Sequence, residues 1–351
     1  MLSSVSYSPL VPTLLLLLSL PLLFLFAPRI LPPRNIPISL PDELDDLSLF
    51  RKAAAADSST SSSHHRHPPL PSSKSRLGST NPSPKIAFLF LTNSDLHFSR
   101  LWAKFFANAS SANLYNIYVH ADPTVKITIQ PPFTPNQFIP AKRTQRSSPT
   151  LIAAARRLLA TAILDDRRNL FFALISQHCI PLHSFTFLHK TLFHRSISDL
   201  GKLGNNYYLH YRSFIEISAN ESFLLKRYNA RGENVMLPEV PFDRFKIGSQ
   251  FFILTRRHAL VVVKDRRLWR KFKLPCIWAE SCYPEEHYFP TLLSMEDPEG
   301  CTQFTLTRVN WTGMVGGHPH TYQPPEVSPE LIYKLRDHFP GLGRSGSDEQ
   351  S

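Results

Sequence analysis

The sequence lacks the motifs that mark several common enzyme classes. It has no G-x-S-x-G motif and no glycine-rich loop of the Walker type, so neither a common hydrolase nor a common kinase is indicated. No Asp-x-Asp pair occurs after Lys85, and Ser176-Gln177-His178 occupies a predicted strand end where an acidic pair could stand. An enzyme that uses a nucleotide diphosphate here would need side-chain cations to neutralise it.

Cysteine is also scarce. None of the four cysteines lies in a C-x-x-C pair, so a zinc site is not indicated and no metal ligands are predicted. In an oxidising compartment the four could form up to two disulfides, and the sequence does not choose among the three pairings. They are Cys179, Cys276, Cys282 and Cys301.

Positive charge exceeds negative charge, with a formal net charge of +12. Such a surplus suits an anionic partner such as nucleic acid, anionic lipid or a phosphorylated small molecule. However, the chain has no zinc-finger spacing, no aromatic-rich RNA-binding signature and no long basic run. Its basic pairs are scattered, which is typical of a solvated surface, and no nucleic-acid partner is expected.

A long apolar run lies near the N-terminus, after a short tail of residues 1–9. Leu10–Ala27 would form a helix of roughly 27 Å, close to the thickness of the bilayer hydrocarbon. A cleaved signal peptide is the alternative, but a basic n-region and an obvious small-x-small cleavage site are lacking. We therefore expect a transmembrane signal anchor that binds the lipid bilayer.

The orientation of this anchor receives conflicting signals. Arg29 and Arg34 follow the run, and the positive-inside rule would place that side in the cytosol. Three N-glycosylation sequons begin at Asn108, Asn220 and Asn310, and they favour a lumenal body. We expect a lumenal body.

The segment that follows is rich in proline, serine and histidine. Residues 28–84 offer little that could bury a core, and we expect a disordered stem. The composition changes at Lys85, where the first apolar run of the body begins. A folded domain is predicted over residues 85–338 and a flexible tail over residues 339–351.

Short apolar runs alternate with helical patterns in this domain. Strands are predicted at Lys85–Thr92, at Tyr115–Asp122 and from Leu170, and helices at Ser99–Ala109 and Thr150–Leu164. This alternation favours an α/β fold with a mostly parallel central sheet, whose ligands bind beyond the carboxyl ends of the strands. Later segments are mixed: a strand then a helix over Ser249–Val263, a helix start over Cys282–Leu293, and a strand over Cys301–Gly313.

Three positions could carry chemistry. Glu285 and Glu286 follow Pro284, which is an ordinary helix start, but one of them could act as a general base. Asp122 ends a predicted strand, where it could cap the next segment or bind a ribose. Arg308 is an exposed residue or a phosphate clamp, for which the guanidinium is well suited.

The body resembles the plant branch of the core-2/I-branching β-1,6-N-acetylglucosaminyltransferases, glycosyltransferase family 14. The resemblance covers about residues 84 to 336. It rests on these blocks: PKIAFLFLT, YNIYVHADP, FIPAKRTQRSSPTLIAAARRLLATAILDD, FFALISQHCIPLHSF, RYNARGENVMLPEVPFDRFKIGSQFFILTRRHA, SCYPEEHYFPTLLSMEDP and GCTQFTLTRVNWTGMVGGHPHTYQPPEVSPEL.

The resemblance implies a GT-A-like nucleotide-sugar-binding fold and a type II anchor in the Golgi membrane, with the catalytic domain in the lumen. It implies a UDP-sugar donor, a glycan or glycoprotein acceptor, and a metal-independent inverting reaction that needs no cofactor. The catalytic base of the family motif falls on Glu286. The residues implied to bind the donor are Asp122, Arg308 and Thr92, of which Thr92 lies at a strand end. Arg227 and Glu285 are implied to contact the acceptor.

The chain departs from this family pattern near its C-terminus. Members carry a further basic segment resembling LFARKF, whose lysine supports the diphosphate, whereas LIYKLRDHFPGLGRSGSDEQS stands here. Either another cation, such as Lys334 or Arg336, replaces that lysine, or the chain is weakly active. The alternative function is accordingly a non-catalytic Golgi membrane protein that retains the fold.

Overall fold

The computed structural model describes residues 19, 40–61, 83–107, 113–193, 200–203, 206–209, 211–311 and 319–336. The chain divides into a short unit, residues 1–47, and a large unit, residues 48–351. The described helices of more than three residues are α1 Leu40–Ser61, α2 Ser99–Phe106, α3 Pro149–Asp165, α4 Phe185–Phe193, α5 Leu224–Tyr228, α6 Arg256–Lys264, α7 Arg267–Phe272, α8 Pro284–Glu296 and α9 Pro329–Arg336. The described strands are β1 Lys85–Thr92, β2 Tyr115–Ala121, β3 Asn169–Ser176, β4 Leu200–Leu203, β5 Asn206–Leu209, β6 Ser213–Glu216, β7 Ile253–Thr255 and β8 Cys301–Gln303.

A six-stranded sheet with the order β2-β1-β3-β7-β6-β8 forms the centre of the large unit. Strand β1 pairs in parallel with both β2 and β3, as the alternation of strands and helices predicts. Strand β7 pairs antiparallel with β3 and with β6, and β6 pairs parallel with β8. The α/β class and the mostly parallel character of the sheet are confirmed, and the two antiparallel pairings of β7 make the sheet mixed.

Both faces of β1 are buried because helices cover the sheet on two sides. Ala87, Leu89 and Leu91 belong to one hydrophobic cluster, together with the apolar side chains of α3. Ile86, Phe88 and Phe90 belong to a second cluster, with Trp102, Phe105 and Phe106 of α2. Successive side chains of a strand point to opposite faces, so a continuous apolar run suits a strand between two helical layers.

Helix α3 begins as its sequence predicts. The side chain of Ser148 accepts a hydrogen bond from the backbone N–H of Thr150, and Pro149 occupies the first turn. A serine cap satisfies a backbone donor that the helix leaves free, and proline has no such donor to lose. This start fixes the end of the preceding loop, which borders the candidate site.

Helix α1 lies within residues 28–84, where a disordered stem was expected. That expectation is wrong for Leu40–Ser61. Phe50 and Ala53 are buried in the same cluster as α3, and the guanidinium of Arg156 lies 4.6 Å from the centre of the Phe50 ring. One aromatic and one small side chain, spaced three residues apart, give this helix a buried contact that average composition does not reveal.

The predicted anchor lies outside the described residues, except for Ser19. In the part of the chain that the structure does describe, no helix is both long and apolar enough to cross a membrane. The predicted tails over residues 1–9 and 339–351 also fall outside the description, as does the sequon residue Asn108.

One cysteine pairing is resolved by the fold. Cys276 and Cys282 form a disulfide, with their Cα atoms 6.2 Å apart. Cys179 and Cys301 are free thiols. The disulfide closes the loop that leads directly into α8.

Candidate active site

An open cleft of about 1940 Å³ lies at the carboxyl ends of β1 and β3. Thr92 and Asn93 border it from β1, and Ser176, Gln177 and His178 border it from β3. This is the edge of the sheet where the sequence predicts a ligand site. The start of α8 and the segment around Arg308 also line the cleft.

Glu286 lies in the first turn of α8 and lines the cleft. Its Oε2 atom forms an ion pair with the guanidinium Nη1 of Arg227, which α5 carries. The side chain of Glu286 is 34% exposed, so its carboxylate is accessible from the cleft. The backbone carbonyl of Glu286 accepts a hydrogen bond from the N–H of Gly248, at 2.9 Å.

Arg227 is held from several sides. Its guanidinium lies 4.6 Å from the centre of the Phe223 ring and 4.7 Å from the centre of the Tyr283 ring. It also lies 3.5 Å from the Nε2 atom of His287. Aromatic faces attract a guanidinium and restrict its position, so Arg227 can orient the carboxylate of Glu286.

His287 supports this arrangement as a neutral side chain. It is fully buried, and burial lowers its pKa to about 3. Its Nδ1 lies 2.8 Å from the carbonyl oxygen of Lys246, which can only accept, so Nδ1 carries the proton. The unprotonated Nε2 atom can therefore accept a hydrogen bond from Arg227.

Tyr283, which precedes α8, has a left-handed backbone with φ of 37°. A bulky residue in this region is strained, and such strain concentrates at functional sites. The conformation turns the chain from the disulfide loop into α8 and is accompanied by the stacking of the Tyr283 ring on Arg227.

Glu285 differs sharply from its neighbour Glu286. Its side chain is buried, and its Oε1 atom accepts a hydrogen bond from the backbone N–H of Ser147, at 3.1 Å. Burial raises the pKa of the Glu285 carboxyl to about 7. A buried carboxyl offers little surface to an acceptor, so its predicted acceptor role receives no support from its position.

Asp122 binds a neighbouring loop. Its carboxylate accepts hydrogen bonds from the backbone N–H and the hydroxyl of both Thr124 and Thr144, at 2.6 to 2.9 Å. Burial would raise the pKa of Asp122, but these hydrogen bonds outweigh it and hold the pKa well below its usual range. The geometry matches the capping alternative, and a direct contact with a donor stays a prediction.

Basic side chains line another part of the cleft. Arg308 donates from Nη1 to the carbonyl oxygen of Leu335 at 2.9 Å, and Arg336 donates from Nε to the carbonyl oxygen of Leu182. Both arginines border the cleft, whereas Lys334 is exposed and is not one of the residues that line it. Of the two replacement cations that the sequence suggests, Arg336 is the one that lies at the site.

Of the other predicted residues, Thr92 and Asn310 also line the cleft, whereas Asn220 is not one of its lining residues. The hydroxyl of Thr92 donates to the carbonyl of Ser94 at 2.5 Å, so its hydrogen is already engaged locally. Asn220 is exposed, as a glycosylated asparagine must be. Asn310 lines the cleft and donates to the Tyr322 hydroxyl at 2.9 Å, a poor position for a glycan.

Local sequence patterns do not reveal several residues of the site. Tyr283 and Phe223 reach Arg227 only through tertiary contacts, and no pattern around them signals a stacking role. His183 also lines the cleft near Arg336, and burial followed by the charge of Arg336 lowers its pKa. Among the described residues, no group of three His, Cys, Asp or Glu side chains could hold a metal ion.

The part of the chain that forms the cleft is similar in sequence to known proteins. The sequence model described as "Core-2/I-Branching enzyme" matches residues 86–336, which include all of the sheet except Lys85, the residues of the cleft and α9. The chain is also 28% identical over 301 residues to a protein named glycosyltransferase BC10 from Oryza sativa subsp. japonica. That similarity covers 77% of this chain and 67% of the relative.

Proposed function

The chain belongs to the core-2/I-branching enzyme family of glycosyltransferases, and on this basis we propose that it transfers a sugar from a UDP-sugar to a glycan acceptor with inversion. The transferred sugar is N-acetylglucosamine or a related sugar, and the acceptor is a free glycan or a glycoprotein. The ion pair of Glu286 with Arg227 in the cleft is the observation that carries this proposal.

Glu286 is the general base. Its Oε2 atom is bound by Arg227, and its Oε1 atom has no hydrogen-bond partner among the described residues. Oε1 can therefore take the proton of an acceptor hydroxyl. The acceptor oxygen then attacks the anomeric carbon from the face opposite the diphosphate, and the bond between that carbon and the diphosphate oxygen breaks. One base and a stabilised leaving group suffice for such an inversion.

Cationic side chains stabilise the departing UDP in this proposal. Arg308 and Arg336 both border the cleft, and guanidinium groups bind phosphate oxygens with strong, charge-assisted hydrogen bonds. Their positions support donor binding without a metal ion. In this proposal Arg336 takes the part of the second, lysine cation that the family resemblance implies.

The cellular setting is also part of the proposal. We place the protein in the Golgi membrane as a single-pass type II protein, with residues 10–27 in the bilayer and the large unit in the lumen. Exposed Asn220 within its sequon and the disulfide between Cys276 and Cys282 support an oxidising, glycosylating compartment. A mobility shift on glycosidase treatment, reduced in Asn220→Gln, tests the lumenal location.

Sugar transfer by the purified full-length protein tests the proposed reaction. A panel of UDP-sugars is combined with oligosaccharide acceptors, and the anomeric configuration of each product is determined by NMR. Product with the configuration opposite to that of the donor supports the proposal, and product with retained configuration contradicts it.

The second candidate function is a non-catalytic protein that retains the fold. The observation that favours it is the departure of LIYKLRDHFPGLGRSGSDEQS from the basic pattern of the family. No sugar transfer from any donor, together with no change of the melting temperature on addition of UDP, would support this candidate. Binding is read from the melting temperature, which a ligand of the folded state raises.

A further inference from the structure

One loop, residues 144–147, links the segment that follows β2 to the start of α8. At one end of this loop, Thr144 donates two hydrogen bonds to Asp122, which follows β2. At the other end, the N–H of Ser147 donates to Glu285, which lies in the first turn of α8. Between these ends, Arg146 is exposed and lines the cleft.

Glu285 is unusual among the acidic side chains of the site because only 4% of its surface is exposed. Its Oε1 atom binds the loop, and its Oε2 atom is buried without a hydrogen-bond partner in the described chain. Three charged groups act on it: Glu286 from the same helix, Arg146 from the loop, and Arg231 from the short helix Asn229–Arg231. Glu285 borders the cleft, but a side chain buried to this degree is suited to support its neighbours rather than to contact a substrate.

We propose that Glu285 is a positioning residue that ties the loop of residues 144–147 to the start of α8 and so fixes Arg146 beside Glu286 in the cleft. The inference rests on the proposed function, because it concerns the site in which Glu286 acts. The Ser147 backbone has φ of 55°, so the loop reaches Glu285 in a left-handed conformation that costs free energy. The hydrogen bond to Glu285 offsets part of that cost.

This role has a consequence for pH dependence. Because burial raises the pKa of Glu285 to about 7, the carboxyl is protonated in mildly acidic solution and ionises as the pH rises through neutrality. Ionisation places a second negative charge beside Glu286, and Arg146 is then drawn toward Glu285. We therefore expect activity to fall above pH 7 as Glu285 ionises. Glu285→Gln, whose side chain stays neutral, should not show this fall.

The test compares Glu285→Gln with Glu285→Ala in the full-length protein. Glutamine keeps an oxygen that can accept from Ser147, whereas alanine does not. We expect Glu285→Ala to lower kcat about 10- to 100-fold, as misplaced site groups do, while Glu285→Gln stays within about twofold of the unmodified protein at pH 6. Glu296→Ala is the control, since Glu296 is an exposed acid in the last turn of the same helix.

Two further readouts separate positioning from a general loss of stability. The rate of Glu285→Gln should be flat from pH 6 to 8, whereas the unmodified protein declines over that range. Arg146→Ala should lower kcat as well, and the double variant with Glu285→Ala should lose little more than the larger single effect, because residues that act together are not additive. Independent effects that multiply would overturn the proposal.

Hydrogen exchange gives a result that does not depend on activity. Glu285→Ala should speed exchange of the amides in residues 144–147, and Glu285→Gln should preserve their protection. Unchanged protection in Glu285→Ala would overturn the inference even if the enzyme is active. If the unmodified protein transfers no sugar while this loop responds as expected, the proposed function fails and the tie between Glu285 and the loop stands.

Discussion

Arg227 and Glu286 form an ion pair in the cleft although 59 residues separate them in the chain. Two aromatic rings enclose the arginine, and a neutral histidine lies 3.5 Å from Nη1, the same nitrogen that pairs with Glu286. The carboxylate is therefore oriented by a partner that is itself fixed. Such layered support is what a catalytic group requires to hold its geometry.

The basic part of the cleft predicts how donor affinity responds to mutation. Arg308→Ala and Arg336→Ala should each weaken UDP binding by about tenfold or more, because a hydrogen bond to a charged group contributes roughly 1.5–3 kcal/mol. Isothermal titration calorimetry measures this change. Lys334→Ala is the matched control, since Lys334 lies two residues from Arg336 and does not line the cleft. Equal effects at Lys334 and Arg336 would contradict the assignment of Arg336.

Because the Phe50 side chain is buried in the hydrophobic cluster of the large unit, we expect α1 to contribute to the stability of that unit. Phe50→Ala should lower the free energy of unfolding by about 3 kcal/mol, since it removes a buried ring that packs on Arg156. Thermal denaturation should show a melting temperature roughly 6–12 °C lower. Leu44→Ala is the control because Leu44 is 61% exposed. A melting temperature that is unchanged in Phe50→Ala would mean that α1 is dispensable.

Because His287 is buried and its pKa is lowered, we expect the protein to lose stability in acid. Burial lowers the pKa of His287 to about 3, against an ordinary value of 6.5. Between these two pH values the unfolded chain binds a proton at His287 that the folded protein does not bind. The stability that His287 contributes is present above pH 6.5 and is lost as the pH falls toward 3, by up to about 5 kcal/mol.

Chemical denaturation at several pH values measures this effect. His287→Asn retains an N–H that can donate to the Lys246 carbonyl but has no titrating group. Its stability should therefore vary less between pH 6.5 and 4 than that of the unmodified protein. Identical pH dependence of the two proteins would refute the role given to His287.

The parts of the fold that the sequence predicted well are those with strong local patterns. Strand β1 was predicted at Lys85–Thr92 and is found there, because eight residues buried on both faces give an unbroken apolar run. Helix α3 was predicted within one residue at each end, since Ser148 and Pro149 mark its start. These signals are contained in neighbouring residues.

Other features had no local signal. Strands β6, β7 and β8 contain only three or four residues each, too few to display a period, so the change to antiparallel pairing at β7 could not be predicted. The difference between Glu285 and Glu286 is likewise tertiary, since one side chain faces the loop at Ser147 and the other faces Arg227. The local sequence predicted that one glutamate of this pair is a general base. Only the resemblance to the family indicated that it is Glu286.

The catalytic role of Glu286 is tested most directly by Glu286→Gln, which keeps the size of the side chain and removes its basicity. We predict that kcat falls by about 10²- to 10⁴-fold, the usual contribution of a general base, while the Kd for UDP stays within about twofold. Glu296→Gln, at the other end of α8, should leave both values unchanged. Turnover by Glu286→Gln equal to that of the unmodified protein would contradict the account.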